Sequence, residues 1–270
     1  MTKTFLFTVI LLLFSQTVSA RILYITRHAQ AGGVIKELQE KNITDDIGIR
    51  QAKSLANHLV NELKFKGDVY ASPFYRTTAT AAYTAKLLNK KVILDPGLQE
   101  VARSKKISPP GLTLKLMEKY FPGMTTPGKR YADGWRICNE NDKKRIIRYE
   151  KTLDAILAET KGDVLLVTHG AGTNGLLSVL NKRRVDKKVA PMSGTSWNCA
   201  LFIYELNDQN KVISTKYVTG FMKEEDITSN FRCPKIERPN DPRYMTREQD
   251  RANRAKQREA ARKAKQNKGK

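Results

Sequence analysis

Two short apolar runs, each followed closely by a histidine, constrain this chain most. Residues 22–25 read ILYI and residues 164–167 read VLLV. Continuous apolar runs of this length are typical of strands that a parallel sheet buries on both faces. The chain has only three histidines, and two of them, His28 and His169, come just after these runs. Because each of these two strand ends presents a histidine, we expect the two histidines to belong to one site.

The rest of the pattern alternates strands with helices, which predicts an α/β fold. The expected architecture is a three-layer sandwich, with a mostly parallel central sheet and helices on both faces. Further strands are expected at 67–71, 91–94, 196–206 and 211–218, and helices at 48–63, 76–88, 141–160 and 173–180.

Several finer expectations accompany this pattern. Residues 32–46 are expected to form a polar loop, and His58 to lie on the surface of its helix, off the apolar stripe. A long irregular insertion at 101–135, with one short helix near 112–120, is of the kind that lies over a site and shapes specificity. The helix at 141–160 is expected to face the core with Ile146, Ile147, Leu153, Ile156 and Leu157.

The N-terminus has the layout of a secretory signal peptide. A lysine near the start precedes an apolar stretch at residues 5–14, and small residues end it at Ala20. The stretch is too short to span a bilayer comfortably, so cleavage after Ala20 is expected, with Arg21 as the new first residue. An uncleaved membrane anchor is the alternative. The expected organisation is a leader at 1–20, one domain at 21–234 and a tail at 235–270, in a protein exported to the periplasm or the medium.

The charge is strongly positive, +22 with a pI near 9.9. It could favour anionic substrates, contact nucleic acid or another anionic surface, or form a solvated basic face. Part of it lies in the tail, which has almost no large apolar residue and is expected to be helical or disordered. A weak contact of this tail with a polyanion is one expectation. Specific nucleic-acid recognition is not expected.

Three cysteines allow at most one intramolecular disulfide in an exported protein. Their spacing matches no zinc pattern. Cys199 is expected to be a buried thiol inside a strand, and a Cys138–Cys233 bridge is one open pairing.

Four short segments, each at a predicted strand end or helix start, stand out together. They read TRHAQ (residues 26–30), SPFYRTTATA (72–81), LQE (98–100) and VTHG (167–170). In this order and spacing the chain, from about Ile22 to Val218, resembles the histidine phosphatase superfamily, which has the phosphoglycerate-mutase-like fold. It is similar to the branch with an Arg-His-Ala motif.

The resemblance implies a role for each matching residue. His28 would be the nucleophile that becomes phosphohistidine, and Arg27, Arg76 and His169 would form the phosphate pocket, with Gly170 allowing close backbone approach. Glu100 would protonate the leaving oxygen, although an ordinary surface acid is its alternative interpretation. The chemistry agrees, because neutral imidazole is a nucleophile near pH 7 and guanidinium groups bind phosphate oxygens bidentately.

Departures from the family pattern narrow the function. Ala29–Gly33 replaces the Gly-Glu-Ser-x-Trp-Asn type run of the mutases, which argues against mutase activity, and the second arginine and the proline of the phytase-like branch are missing. The expected protein is an exported phosphatase that hydrolyses small phosphomonoesters, with no metal or other cofactor. The alternatives are a phosphoprotein phosphatase acting on phosphohistidine or phosphoserine, and a non-catalytic protein that binds phosphate or a polyanion.

Overall fold

The computed structural model describes residues 20–35, 40–43, 46–101, 113–132, 140–192 and 197–228, together with 255 and 259. The expected leader up to residue 19, nearly all of the basic tail, and both Cys138 and Cys233 lie outside the described residues. Every helix within the described residues is too short or too polar to cross a lipid bilayer.

Within the described residues, nine strands form two sheets. In chain order they are β1 (Arg21–Arg27), β2 (Ala31–Ile35), β3 (Glu40–Ile43), β4 (Asp68–Ala71), β5 (Val92–Leu94), β6 (Thr125–Pro127), β7 (Val164–Thr168), β8 (Leu201–Leu206) and β9 (Val212–Val218). The central sheet has the order β6-β5-β4-β7-β1-β8-β9. Neighbouring strands from β6 to β1 in this order pair parallel. β8 pairs antiparallel with both of its neighbours, β1 and β9. The expected α/β architecture is confirmed.

Between residues 46 and 192, the described parts of the chain contribute five α-helices that cover the sheet: α1 (Ile47–Asn57), α2 (Tyr75–Leu87), α3 (Leu114–Tyr120), α4 (Asp142–Glu159) and α5 (Gly170–Lys182). A π-helical turn, His58–Glu62, continues α1. Side chains of the buried strands alternate between two separate cores. Leu23, Ile25 and Leu166 pack with α4 and α5, whereas Tyr24 and Leu165 pack with α1 and α2. The short apolar runs are therefore buried on both faces, as their composition predicts.

The connection after β1 is not a plain polar loop as expected. β2 and β3 pair antiparallel as a small separate sheet, with a register shift between Ala31 and Val34. Val34 is 64% exposed. Glycines and polar residues conceal this hairpin, because they break the alternation that identifies a half-buried strand.

Four finer expectations also need correction. His58 is not a surface residue, because its side chain is only 12% exposed and stacks on Phe221 with ring centroids 4.6 Å apart. Ile147 is 41% exposed, and the fully buried Tyr149 faces the core instead. Cys199 is buried as expected but precedes β8 rather than lying within it, with a φ of 58°. The insertion supplies a strand, β6, to the edge of the main sheet.

Candidate phosphate site

The strand register brings both histidines to the same edge of the sheet. β1 pairs with β7 so that Arg27 lies opposite Thr168, and His28 and His169 follow immediately. The backbone N–H of His28 donates to the Thr168 carbonyl at 2.9 Å. Ring centroids of the two histidines are 5.4 Å apart. The two strand ends therefore form one site, as the sequence predicts.

Two hydrogen bonds fix the tautomer of His28. Its Nδ1 lies 2.7 Å from the carbonyl oxygen of Ala29, which can only accept, so Nδ1 carries the proton. Its Nε2 lies 3.3 Å from Nε of Arg76, which can only donate, so Nε2 has a lone pair. The imidazole is thus neutral, with a nucleophilic nitrogen facing a guanidinium group. Although His28 is only 4% exposed, its reactive atom faces the site.

His169 has the opposite tautomer. Its Nδ1 accepts from Nη2 of Arg76 at 3.0 Å, and its Nε2–H donates to the Ser72 hydroxyl at 3.0 Å. Burial holds the pKa of His169 well below its ordinary value, and the nearby positive charges of Arg76 and Arg27 lower it further. His169 is therefore neutral here. To act as a protonated donor in the expected phosphate pocket, His169 would require a bound anion that raises this pKa.

Arg76 connects the two histidines, and Arg27 lies beside them. Arg76 is in the first turn of α2, where its guanidinium also lies 5.0 Å from the centre of the Phe74 ring. Arg27 ends β1, is only 8% exposed and points its guanidinium toward the start of α5. A methyl group built at Gly170 would be 3.7 Å from the Arg27 guanidinium, an ordinary contact. The protein atoms around Gly170 therefore leave room for a side chain, and close approach of a phosphate to its backbone stays a prediction.

Two helices begin at this edge of the sheet. α2 starts three residues after Ser72, and α5 starts directly after His169. The first N–H groups of a helix lack partners within the helix, and the helix dipole is positive at this end. Both features favour an anion here and add to the charges of the two arginines.

Glu100 lies at the same edge, after the short 3₁₀ turn that follows β5. Two hydroxyl groups hold this segment in place. The Thr168 hydroxyl donates to the Leu98 carbonyl at 2.6 Å, and the Tyr149 hydroxyl donates to the Gln99 carbonyl at 2.7 Å. The Glu100 carboxylate is half-buried and accepts from the Val101 N–H at 3.0 Å. Its role as proton donor stays a prediction.

Arg148 also holds the Glu100 segment, although no motif identified it. Its guanidinium forms an ion pair with Glu140 at 2.6 Å and donates to the carbonyls of Gly97 and Gln99 at 2.6 and 3.1 Å. Burial raises the pKa of the neighbouring Tyr149 to about 12, so its hydroxyl remains a donor to the Gln99 carbonyl.

Two residues outside the four motifs, Asn198 and Gln51, form hydrogen bonds with the backbone of residues 28–30, the nucleophile segment. The Asn198 side chain donates to the His28 carbonyl at 2.7 Å, and Gln51 accepts from the Gln30 N–H at 2.7 Å. Gln30 itself is only 1% exposed. The Thr80 hydroxyl, on the second turn of α2, accepts from the Ala29 N–H at 2.9 Å.

A segment near the end of the described chain completes this support. Gln51 donates to the Asp226 carbonyl at 2.6 Å and to the Thr228 hydroxyl at 2.8 Å, while the Asn198 N–H donates to the Thr228 carbonyl at 2.7 Å. Arg50 holds the buried carboxylate of Asp226 with a 2.6 Å ion pair. Residues 226–228 therefore connect Gln51 with Asn198, the two residues that hold the nucleophile segment.

The assembled groups suit the transfer of a phosphoryl group. A neutral imidazole nitrogen can attack phosphorus, and planar cations can hold the oxygens on which charge accumulates. Within the part of the chain that the structure describes, no three His, Cys, Asp or Glu side chains converge on a position that could hold a metal ion.

Known proteins resemble the chain in both sequence and fold. A 55 kDa subunit of transcription factor tau from Saccharomyces cerevisiae is 28% identical over 170 residues, which cover 59% of this chain. The match spans only 39% of that yeast protein.

Two solved structures share the fold. The ecdysone phosphate phosphatase of Bombix mori, in complex with tungstate, superposes with a TM-score of 0.53 at 16% identity and covers 83% of this chain and 98% of its own. A mycobacterial glucosyl-3-phosphoglycerate phosphatase in complex with VO3 gives 0.50 at 20% identity, covering 75% of this chain and 100% of its own.

The family model of the histidine phosphatase superfamily, branch 1, matches residues 23–218. The matched region contains all four motifs and every strand of the central sheet except the first two residues of β1. Because this match covers well over half of the chain, the chain belongs to the histidine phosphatase superfamily.

Proposed function

We propose that this protein hydrolyses phosphomonoesters through a phosphohistidine intermediate on His28. The observation that carries the proposal is the tautomer of His28, whose Nδ1 proton is held by the Ala29 carbonyl while Nε2 faces Arg76. Membership of the histidine phosphatase superfamily supports phosphatase activity.

The proposed reaction has two steps. Nε2 of His28 attacks phosphorus, the P–O bond to the organic group breaks, and Glu100 gives its proton to the departing oxygen. Water then attacks the phosphohistidine and loses a proton to Glu100, and phosphate leaves. In both steps Arg27 and Arg76 bind the phosphoryl oxygens, on which negative charge is spread.

We propose that the reaction needs no metal ion. A divalent cation in phosphoryl transfer neutralises the oxygens and orients them. Two guanidinium groups and the N-terminal ends of α2 and α5 can supply that positive potential at the same place. Arginine keeps its charge at every physiological pH, so this positive potential does not depend on loading an ion.

The substrate proposed is a small phosphomonoester that reaches the protein after export. Its phosphate would bind between the arginines, and its organic group would contact the insertion that begins after Glu100. The beginning of the fold is compatible with removal of the leader, because Ala20 is exposed and β1 starts at Arg21.

Phosphate release from an aryl phosphate tests this function directly. His28→Ala should abolish release, because no other group has its position and lone pair, whereas excess EDTA should leave the rate of the unmodified protein unchanged. His58→Gln is the matched control, since His58 stacks on Phe221 away from the two other histidines. Full activity in His28→Ala would overturn the proposal, and loss of activity in EDTA would overturn its metal independence.

Screening the same proteins against a panel of phosphomonoesters and a phosphohistidine peptide would identify the preferred class of substrate. A preference for the peptide would favour the phosphoprotein alternative.

A further inference from the structure

A cavity of about 600 Å³ lies along the outer face of α2, on the side away from the catalytic groups. Its lining includes Tyr75, Ala79, Ala82, Tyr83 and Lys86, which follow one stripe of the helix. Tyr75 and Lys86 are eleven positions apart, so the stripe is about 16 Å long at 1.5 Å per residue. The cavity is therefore a groove, with a volume in the range of small-molecule sites.

Small side chains form the floor of the groove, and aromatic side chains form its walls. Ala79 and Ala82 are each 7% exposed and bring only a methyl group to the lining. The Tyr75 ring packs against Phe121 with ring centroids 5.0 Å apart, and Phe121 and Met124 line the groove beside it. Apolar side chains make up most of the lining, with Asn42, Asn89 and two lysines as its polar members, so the groove fits an alkyl chain that has a polar head.

The charge at one end of the groove has a single sign. Among the described residues that line it, the charged side chains are two lysines, Lys86 and Lys90. The Lys90 ammonium already donates to the carbonyls of Lys66 and Gly67 and to Asp68, at 2.9 to 3.1 Å. Lys86 is exposed, and no described residue forms an ion pair with it. One cation is thus available for an anionic group at this end.

We propose that this groove binds a single-chain anionic amphiphile, such as a fatty acid. The alkyl chain would lie over Ala79 and Ala82 between the aromatic walls, and the carboxylate would pair with Lys86. Burial of the chain supplies the affinity, and the lysine fixes its direction.

The groove is a second site and not part of the catalytic one. Tyr75 faces the groove and packs on Tyr120 and Phe121, whereas Arg76, the next residue, faces His28 and His169. The two sites are therefore on different sides of the first turn of α2.

Isothermal titration with decanoate tests the proposal. We expect saturable binding of one molecule per chain, with an affinity that rises up to about fourfold for each methylene added between octanoate and laurate. Lys86→Glu should weaken decanoate binding about fivefold and leave binding of uncharged decanol unchanged. Lys91→Glu, the same charge reversal at an exposed lysine outside the groove, should change the affinity for decanoate less than twofold.

Ala82→Leu should abolish binding of both ligands by filling the floor, and thermal unfolding would verify that this variant is folded. His28→Ala should bind decanoate normally, which makes the result independent of the proposed phosphatase activity. The absence of saturable binding, an affinity indifferent to Lys86→Glu, or displacement of decanoate by an aryl phosphate would each overturn the proposal.

Discussion

The two histidines of the site occupy equivalent strand ends but are prepared for different tasks by their hydrogen bonds. A carbonyl acceptor holds the proton of His28 on Nδ1 and leaves Nε2 as a nucleophile, whereas His169 donates from Nε2 to Ser72 and accepts from Arg76. Burial and the neighbouring guanidinium groups of Arg76 and Arg27 keep the pKa of His169 low, so His169 is not a third cation beside the two arginines. A phosphate dianion would reverse that balance and favour the protonated ring.

Arg76 is the residue whose geometry matters most beyond His28. Arg76→Lys keeps a positive charge but loses the planar group that reaches both histidines, so kcat/KM for an aryl phosphate should fall by about 10² or more. Arg183→Lys is the matched control, because Arg183 pairs with Asp154 at the end of α5. Equal kinetics of the Arg76→Lys and unmodified proteins would show that the charge alone suffices.

At the scale of elements, the contact between α4 and α5 determines where the Glu100 segment lies. Gly175 leaves room for the ring of Tyr149, whose hydroxyl reaches the Gln99 carbonyl, and Gly172 leaves room for the side chain of Thr168. A methyl group at Gly175 would be 2.3 Å from this ring, which is fully buried and cannot move without disturbing the core.

Two alanine substitutions in α5 separate this packing effect from helix propensity. Gly175→Ala should lower the free energy of unfolding by about 1–3 kcal/mol, because the clash outweighs the propensity gain. Gly170→Ala, in the same helix, should change it by less than about 0.5 kcal/mol, since its methyl group has room. Urea denaturation measures both, and similar stabilities for the two variants would contradict the packing account.

The sequence predicts elements well where hydrophobicity follows one period, and poorly where it does not. β1 and β7 are short continuous apolar runs, and both lie where expected. The hairpin of β2 and β3 has too few alternating residues to be recognised. The helical stripe of α4 accommodates Ile147 as well as Tyr149, and the space that Gly175 leaves on α5 for the Tyr149 ring is not visible in that pattern.

At the scale of the whole molecule, the site depends on contacts that no local pattern reveals. Asn198 is 170 positions from His28 in sequence, yet it donates to the carbonyl of that residue. Gln51 and the segment at 226–228 close the same network. Four motifs identify His28, Arg76 and His169 correctly as neighbours, because each motif lies at a strand end or helix start. Their supports lie elsewhere in the chain and are visible only in the fold.

Export also concerns the whole chain. If the leader is removed after Ala20, the mature protein keeps the bonds that anchor its start, since Arg21 donates to the Leu157 and Thr160 carbonyls at 2.8 and 2.6 Å. Expression of the full chain in a secreting bacterial host should therefore give an exported protein whose measured mass begins at Arg21. Ala20→Tyr should block this cleavage, because a small residue is needed there. An intact chain retained in the cytosol would contradict the interpretation of residues 1–20 as a signal peptide.

The position of the phosphoryl group on the enzyme tests the central claim most directly. Protein quenched during turnover of an aryl phosphate should carry an acid-labile phosphate on the peptide that contains His28. Phosphorus NMR of the denatured protein should identify the isomer substituted at Nε2, because the Ala29 carbonyl holds the proton on Nδ1. His28→Ala should carry no such label. Phosphate at Nδ1, on another residue, or absent during rapid turnover would contradict the account.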